Sequence, residues 1–142
     1  MKGGYLSLSR TWNPGDRLEL TLEMPVSFLS ANPRIYEDAG KTAVSRGPLI
    51  YCLEEPDNGK NLHLLRLGEV RPEDCRIEWK PEKLGGIMEI RTPGFRESDA
   101  GWGDTLYSTG KPITSSSVSL TWIPYSAWAN REPGVMRVWI RK

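Results

Sequence analysis

The sequence predicts an all-β protein: an antiparallel β-sandwich of jelly-roll type, entered through an N-terminal β-hairpin and carrying long Gly/Pro-rich loops. Three observations predict it. Eleven prolines and 14 glycines, spread over 142 residues, cut the chain into short segments. No window carries a capped apolar stripe of 3.6-residue period long enough for a substantial helix. Short runs of alternating apolar and polar residues recur instead, separated by turn chemistry at the spacing of a two-layer sheet.

The first element is a short alternating strand from Tyr5 to Arg10, running into Asn13-Pro14-Gly15-Asp16. Proline presets φ there and glycine supplies φ > 0, so a hairpin is expected. Its return strand has the clearest pattern in the chain. Leu18, Leu20, Leu22, Met24, Val26 and Phe28 alternate with Arg17, Glu19, Thr21, Glu23 and Ser27, which makes one face apolar and the other wet. Pro25 lacks the N–H that a ladder needs, so the strand bends or breaks at that point.

Ala31 to Arg34 forms a connector and Asp38 to Lys41 a turn, before a strand region from Thr42 to Leu53. Leu49 to Leu53 is apolar on both parities, the signature of a central strand covered on both faces. Glu54 to Lys60 is a polar loop. Further strands are expected at His63 to Leu67, Arg76 to Trp79, Ile87 to Arg91, Ser117 to Ile123 and Val135 to Arg141. Thr92 to Pro112 is the longest irregular stretch, a surface loop with one short strand around Thr105 to Tyr107.

Charge and composition exclude several classes. With 19 Lys plus Arg against 18 Asp plus Glu, the net charge of +1 provides no long-range field for nucleic acid or an anionic membrane. Met1 to Gly4 leads into a polar strand pattern with no apolar run, and nowhere do ~18 apolar residues occur together. A soluble, cytoplasmic protein is expected. Cys52 and Cys75 are too few for a disulfide framework and lack the Cys/His spacing of a zinc site.

Candidate chemistry is sparse. His63 is the sole histidine and has no grouped partners, so it reads as a strand-surface residue. Glu54 with Glu55, or Asp99 with Asp104, could supply a glycosidase carboxylate pair, but as neighbouring loop charges they read as solvated. Cys52 sits in an apolar strand, where a thiol behaves as a small hydrophobe with a raised pKa, and Cys75 reads as a loop or strand-edge thiol. Gly101-Trp102-Gly103 is a turn without a phosphate-cradling pattern.

Six tryptophans are the one feature that points to sugar binding, since indole faces stack on sugar rings; ordinary packing is the alternative. Trp122 and Trp139 fall in apolar strand patterns and are expected in the core. Trp102, flanked by glycines, and Trp128, in the turn that also holds Tyr125, are the better candidates for contact with another domain or a sugar. Asn130 and Arg131 are expected to hydrogen-bond loop carbonyls and hold that corner.

Two blocks, Arg46-Gly-Pro-Leu-Ile-Tyr-Cys-Leu-Glu54 and Pro124-Tyr-Ser-Ala-Trp-Ala-Asn-Arg131, resemble the C-terminal β-sandwich region of glycoside hydrolase family 127, whose members include β-L-arabinofuranosidases. Gly4-Tyr5, Trp12, Gly15-Asp16 and the strand from Leu18 to Met24 resemble the last hairpin of that family's preceding sandwich. Ser126 and Glu132 depart from the family pattern. The resemblance implies two units: residues 1–30, a hairpin left from a preceding β-sandwich, and residues 31–142, the C-terminal sandwich itself.

In that family a helical α/α barrel bears the active site, a zinc-bound cysteine with a glutamate and further cysteines, and no residue of it maps onto this chain. The resemblance therefore implies zinc only for the barrel and no cofactor here. It implies a non-catalytic accessory domain that packs against the catalytic barrel or a second subunit, as in dimerisation. An independent carbohydrate-binding module contacting an arabinose-containing glycan is the alternative, and a hydrolase in its own right is a third reading. In each of the first two, Trp102, Tyr125, Trp128, Asn130 and Arg131 are the candidate contacts.

Overall fold

In the computed structural model, which describes residues 5–110 and 112–142, nine strands carry the architecture. Expectations that touch Met1 to Gly4 or Lys111 lie outside the described residues. The strands are β1 (Val26–Leu29), β2 (Lys41–Arg46), β3 (Leu49–Glu54), β4 (Leu65–Arg66), β5 (Arg76–Lys80), β6 (Ile87–Glu97), β7 (Ser115–Pro124), β8 (Met136–Arg137) and β9 (Ile140–Arg141). The α-helix among the described residues is a single turn, α1 (Glu55–Asn58), with Pro56 in its first turn, where a missing N–H is tolerated. No helix of the described residues is long and apolar enough to cross a membrane.

The protein is all-β and sandwich-like, as the punctuation of the sequence predicts. Its hydrogen-bonded order runs β1-β2-β9-β4-β6-β7-β3-β8, and a further β2–β3 pairing closes the path on itself. β5 adds to the outside of β6. All pairings are antiparallel except the short β4–β9 contact at Arg66 and Arg141. The two layers are thus stitched together at their edges, which leaves few unpaired strand edges. β8 is one of them, since it pairs with β3 alone.

Burial follows the alternation. Tyr51, Leu53, Ile90, Leu120 and Trp122 fill the main core with Val26, Val44, Leu62, Leu65, Leu67 and Ile140. Cys52, Ile87 and Ile123 form a second cluster. Consecutive residues of β3 and β7 therefore enter different apolar layers, as expected of strands covered on both faces. Leu49 and Ile50 at the start of β3 remain partly exposed.

Four local expectations are corrected. The expected strand from Thr42 to Leu53 is a tight hairpin, β2 and β3, turning at Gly47, whose φ of +55° suits the reversal. The expected loop from Thr92 begins later, because β6 continues through Pro93 and Gly94 to Glu97. On one edge β6 pairs with β5 over 87–91 and with β4 over 95–96, so the gap at Pro93 is where a missing N–H does least harm. A Cβ on Gly94 would lie 2.6 Å from Leu120 Cδ1, so the closeness of β6 to that core residue demands glycine. The strand expected at Thr105 to Tyr107 does not form, and Tyr107 is exposed.

The fourth correction concerns the most regular pattern in the sequence. The chain does reverse at Asn13 to Asp16, where the Asp16 N–H bonds Asn13 O at 3.0 Å and Arg10 pairs with Asp16 at 2.9 Å. No strand ladder is assigned over residues 6–25, however, and only Val26–Leu29 of the expected return strand joins a sheet, pairing with β2. Leu18, Leu20 and Leu22 are 63%, 69% and 71% exposed. Alternation made them one face, but nothing within the described chain covers it.

Candidate functional site

The corner where β3 runs into α1 holds the densest polar chemistry of the molecule. Glu54 ends β3 and is only 6% exposed. The one-turn helix that follows swings Asp57 back alongside it, and the loop after β7 brings Arg131 between the two. Arg131 donates Nη1 to Asp57 Oδ1 at 2.9 Å and Nη2 to Asp57 Oδ2 at 2.5 Å, a two-pronged pair, and Nη2 also reaches Glu54 Oε2. Lys83 Nζ bridges Asp57 Oδ1 at 2.6 Å and Glu89 Oε2 at 2.7 Å, and Arg91 Nε closes on Glu89 Oε1 at 2.9 Å. Three carboxylates are thereby matched by three cations.

Electrostatics follow from this matching. Burial alone would push the Asp57 carboxyl up, but hydrogen bonds from Arg131 and Lys83 outweigh it and hold the group below its usual range. Glu89 behaves alike: burial opposes its charge, and Lys83 and Arg91 win. The Arg131 guanidinium is held charged chiefly by its bonds to Asp57. The Asp57 and Glu89 carboxyls are both depressed on folding, so the stability they contribute is complete above the ordinary values of 3.8 for Asp and 4.5 for Glu and is lost as pH falls below them. Urea midpoints are expected to be level above about pH 5 and to fall towards pH 3. Asp57→Asn and Glu89→Gln each make that acid limb shallower. An unchanged limb in both variants contradicts the ion-pair reading.

Asn58 locks the same corner to β7. Its Nδ2 donates to Glu54 O at 3.0 Å and Thr121 O at 2.9 Å, and its Oδ1 accepts the Thr121 N–H at 2.8 Å. The side-chain amide thus continues the β3–β7 ladder by one rung after the backbone has turned away. Glu54 Oε1 accepts the N–H of Ala129, a non-glycine residue held at φ +61°.

Above this bracing lie two rings. Tyr125 and Trp128 stand 6.2 Å apart at 36°, and Trp128 is 37% exposed. Asn130 Nδ2 donates to Ala127 O at 3.2 Å and Trp128 O at 3.1 Å, holding the turn by loop carbonyls as expected. Arg131 differs from expectation: it binds carboxylates, not carbonyls. Glu54 likewise is no solvated loop charge, because α1 folds it under Arg131.

Four of the five candidate contact residues are thus gathered, Tyr125, Trp128, Asn130 and Arg131. Trp102 is elsewhere, half-buried in a separate hollow with Leu64, Glu97 and Ile113. Trp122 is a core residue whose Nε1 donates to Thr92 Oγ1 at 3.0 Å. Trp139 is only half-buried and lies between β8 and β9, beside a hollow of about 600 Å³. Cys52 is fully buried and its thiol is pushed up to about 12, chiefly by burial. Cys75 is pushed up to about 11 by burial and its acidic neighbours. His63 is exposed in a 3₁₀ turn.

Asp57, Asn58, Lys83 and Glu89 were not legible as a unit in the sequence. They lie up to 32 positions apart, and only Asn58, at the end of a Glu-Glu-Pro-Asp-Asn run, carried a local signal, for a turn.

Comparison with known proteins agrees on one lineage. The family model described as the glycoside hydrolase family 127 C-terminal domain matches residues 26–141. The non-reducing end β-L-arabinofuranosidase of Bifidobacterium longum subsp. longum is 40% identical over 134 residues, which is 92% of this chain and 20% of that protein. The crystal structure of a family 127 β-L-arabinofuranosidase from Geobacillus stearothermophilus T6 superposes with a TM-score of 0.77 at 38% identity, over 83% of this chain and 18% of that one. A structure described as a glycoside hydrolase gives a TM-score of 0.75 at 30% identity, over 95% of this chain and 22% of that one. The chain spans about a fifth of the length of the relatives it matches.

Proposed function

Since this chain belongs to glycoside hydrolase family 127, whose C-terminal domain matches residues 26–141, we propose that it is a non-catalytic accessory β-sandwich, built to dock against a catalytic barrel or a second subunit. The observation that carries this reading is the exposed stripe of Leu18, Leu20 and Leu22, which ends just before Val26, where the matched domain begins. Covering three leucines is worth roughly 4–9 kcal/mol at 1.5–3 kcal/mol each, a strong drive towards a partner sheet. The segment that precedes Val26 then acts as the last hairpin of a neighbouring sandwich, while Val26–Leu29 belongs to this one.

The charged corner supports the same reading. A glycosidase acid must hold its proton near neutral pH, which needs a raised carboxyl pKa. Asp57 and Glu89 are shifted the opposite way, and their cations brace the fold. The corner offers a braced platform beside Tyr125 and Trp128.

Hydrogen exchange combined with size-exclusion chromatography tests the proposal. As a monomer the chain is expected to exchange its amides over residues 6–25 rapidly. Joined to a longer family member, or as a dimer, it gains protection there. Purified chain is expected to leave aryl arabinofuranosides uncleaved. Rapid exchange over 6–25 in every assembly, or measurable cleavage, would sink the reading.

The exposed Tyr125–Trp128 pair favours one second reading, a carbohydrate-binding module. It requires arabinose-containing oligosaccharides to change tryptophan fluorescence at millimolar concentration, and the change must vanish in Trp128→Ala.

A further inference from the structure

A second surface, next to the ring pair, is incomplete as it stands. Ile50, Tyr125, Met136 and Trp139 line a hollow of about 600 Å³ together with Lys41 and Arg137, and no carboxylate lines it. Arg137 lies on β8, whose outer edge pairs with no strand. Among the described residues its Nε, which is buried, has no hydrogen-bond partner and its guanidinium is in no ion pair. Arg131, Arg91 and Arg141 are each paired with a carboxylate within 3 Å, whereas Arg46, whose Nε is likewise buried without a partner among the described residues, lies away from this hollow. A cation with no acid beside it on an apolar rim is answered by a partner that supplies a carboxylate.

From this geometry we infer that the Arg137 hollow is a docking seat for a neighbouring unit of a longer polypeptide, one that presents an Asp or Glu side chain beside an apolar one. The inference rests on the accessory-domain reading and names the face it uses. Charge complementarity selects the occupant: the rim has two cations and no acid, so an incoming carboxylate meets Arg137 while its apolar neighbour lies on Tyr125 and Trp139. A second copy docking by the same face would set Lys41 and Arg137 against themselves. A neutral sugar is disfavoured because it carries no charge to answer the two cations. The chain spans about a fifth of its relatives, so a covalently attached neighbour accounts for the missing partner.

The test compares this chain alone with the same chain joined to the Bifidobacterium longum relative in place of the matched fifth of that protein. Hydrogen exchange around Lys41, Ile50, Tyr125 and 136–140 is expected to slow at least tenfold on joining. Arg137→Gln should leave the melting midpoint of the isolated chain within about a degree and lower that of the joined protein by several degrees, with Arg137→Lys in between. Protection gained only on other faces overturns this inference and leaves the accessory-domain reading standing. No protection anywhere overturns both. Equal effects of Arg137→Gln in the two settings mean a purely internal role and also overturn it. Should the joined protein fail to fold, the isolated chain decides with phenylacetate, a carboxylate on an apolar body. Millimolar quenching of tryptophan fluorescence that weakens tenfold in Arg137→Gln sustains the seat, and equal titrations in the two proteins overturn it.

Discussion

Arg131→Ala is expected to destabilise the isolated chain by about 3–5 kcal/mol, the usual cost of removing one partner from a buried ion pair. The magnitude follows from what remains: Glu54 and Asp57 stay within the corner, 7% and 12% exposed at the side chain, with only Lys83 left to Asp57 and the Ala129 N–H to Glu54. Exposed surface pairs such as Arg71 with Glu73 lie at the other extreme, where about 0–1 kcal/mol is normal. The triple variant Glu54→Gln, Asp57→Asn, Arg131→Met removes the charges together and is expected to recover much of the loss, because desolvating a buried pair offsets most of its attraction. Urea unfolding at pH 7 measures both. A loss below about 1 kcal/mol for Arg131→Ala would mean that the corner is solvated and braces nothing.

Trp122→Ala is the second large effect, about 3–5 kcal/mol. Trp122 is completely buried on β7, opposite Leu53 on β3 and Ile90 on β6, both equally buried, so neighbours on both sides would have to collapse to fill the void. The substitution also leaves Thr92 Oγ1 without the indole donor. Trp122→Phe should cost distinctly less, since it keeps most of the apolar contact and loses the hydrogen bond. Trp128→Ala, at the exposed ring pair, should change the stability of the isolated chain by under about 1 kcal/mol. Equal losses at Trp122 and Trp128 in urea titrations would contradict the division between core and contact residues.

That division was partly legible beforehand. Trp122 falls in an apolar strand pattern beside Val118 and Leu120, which places it in the core, and the structure buries it so. Cys52 was readable in the same way. Trp139 shows the limit: it also stands among Val138 and Ile140, yet the strand breaks between β8 and β9 and leaves it half-buried beside the Arg137 hollow. Periodicity tells which residues share a face. It does not tell whether a strand survives long enough to use it.

Local chemistry alone determined the all-β class, the turn at Asn13 to Asp16, the two-sided burial of β3, and the lack of long helices among the described residues, because side-chain alternation and the φ limits of proline and glycine act over a few residues. The tertiary structure decided everything that needs residues far apart to meet. It set Arg131 against Asp57, 74 positions away, slotted the Asn58 amide into the β7 ladder 63 positions on, and left Arg137 without an acid among the described residues. It also left Leu18 to Leu22 uncovered, although their alternation is the most regular in the chain. A stripe specifies a face, and a face is stabilised only where another surface arrives to dehydrate it.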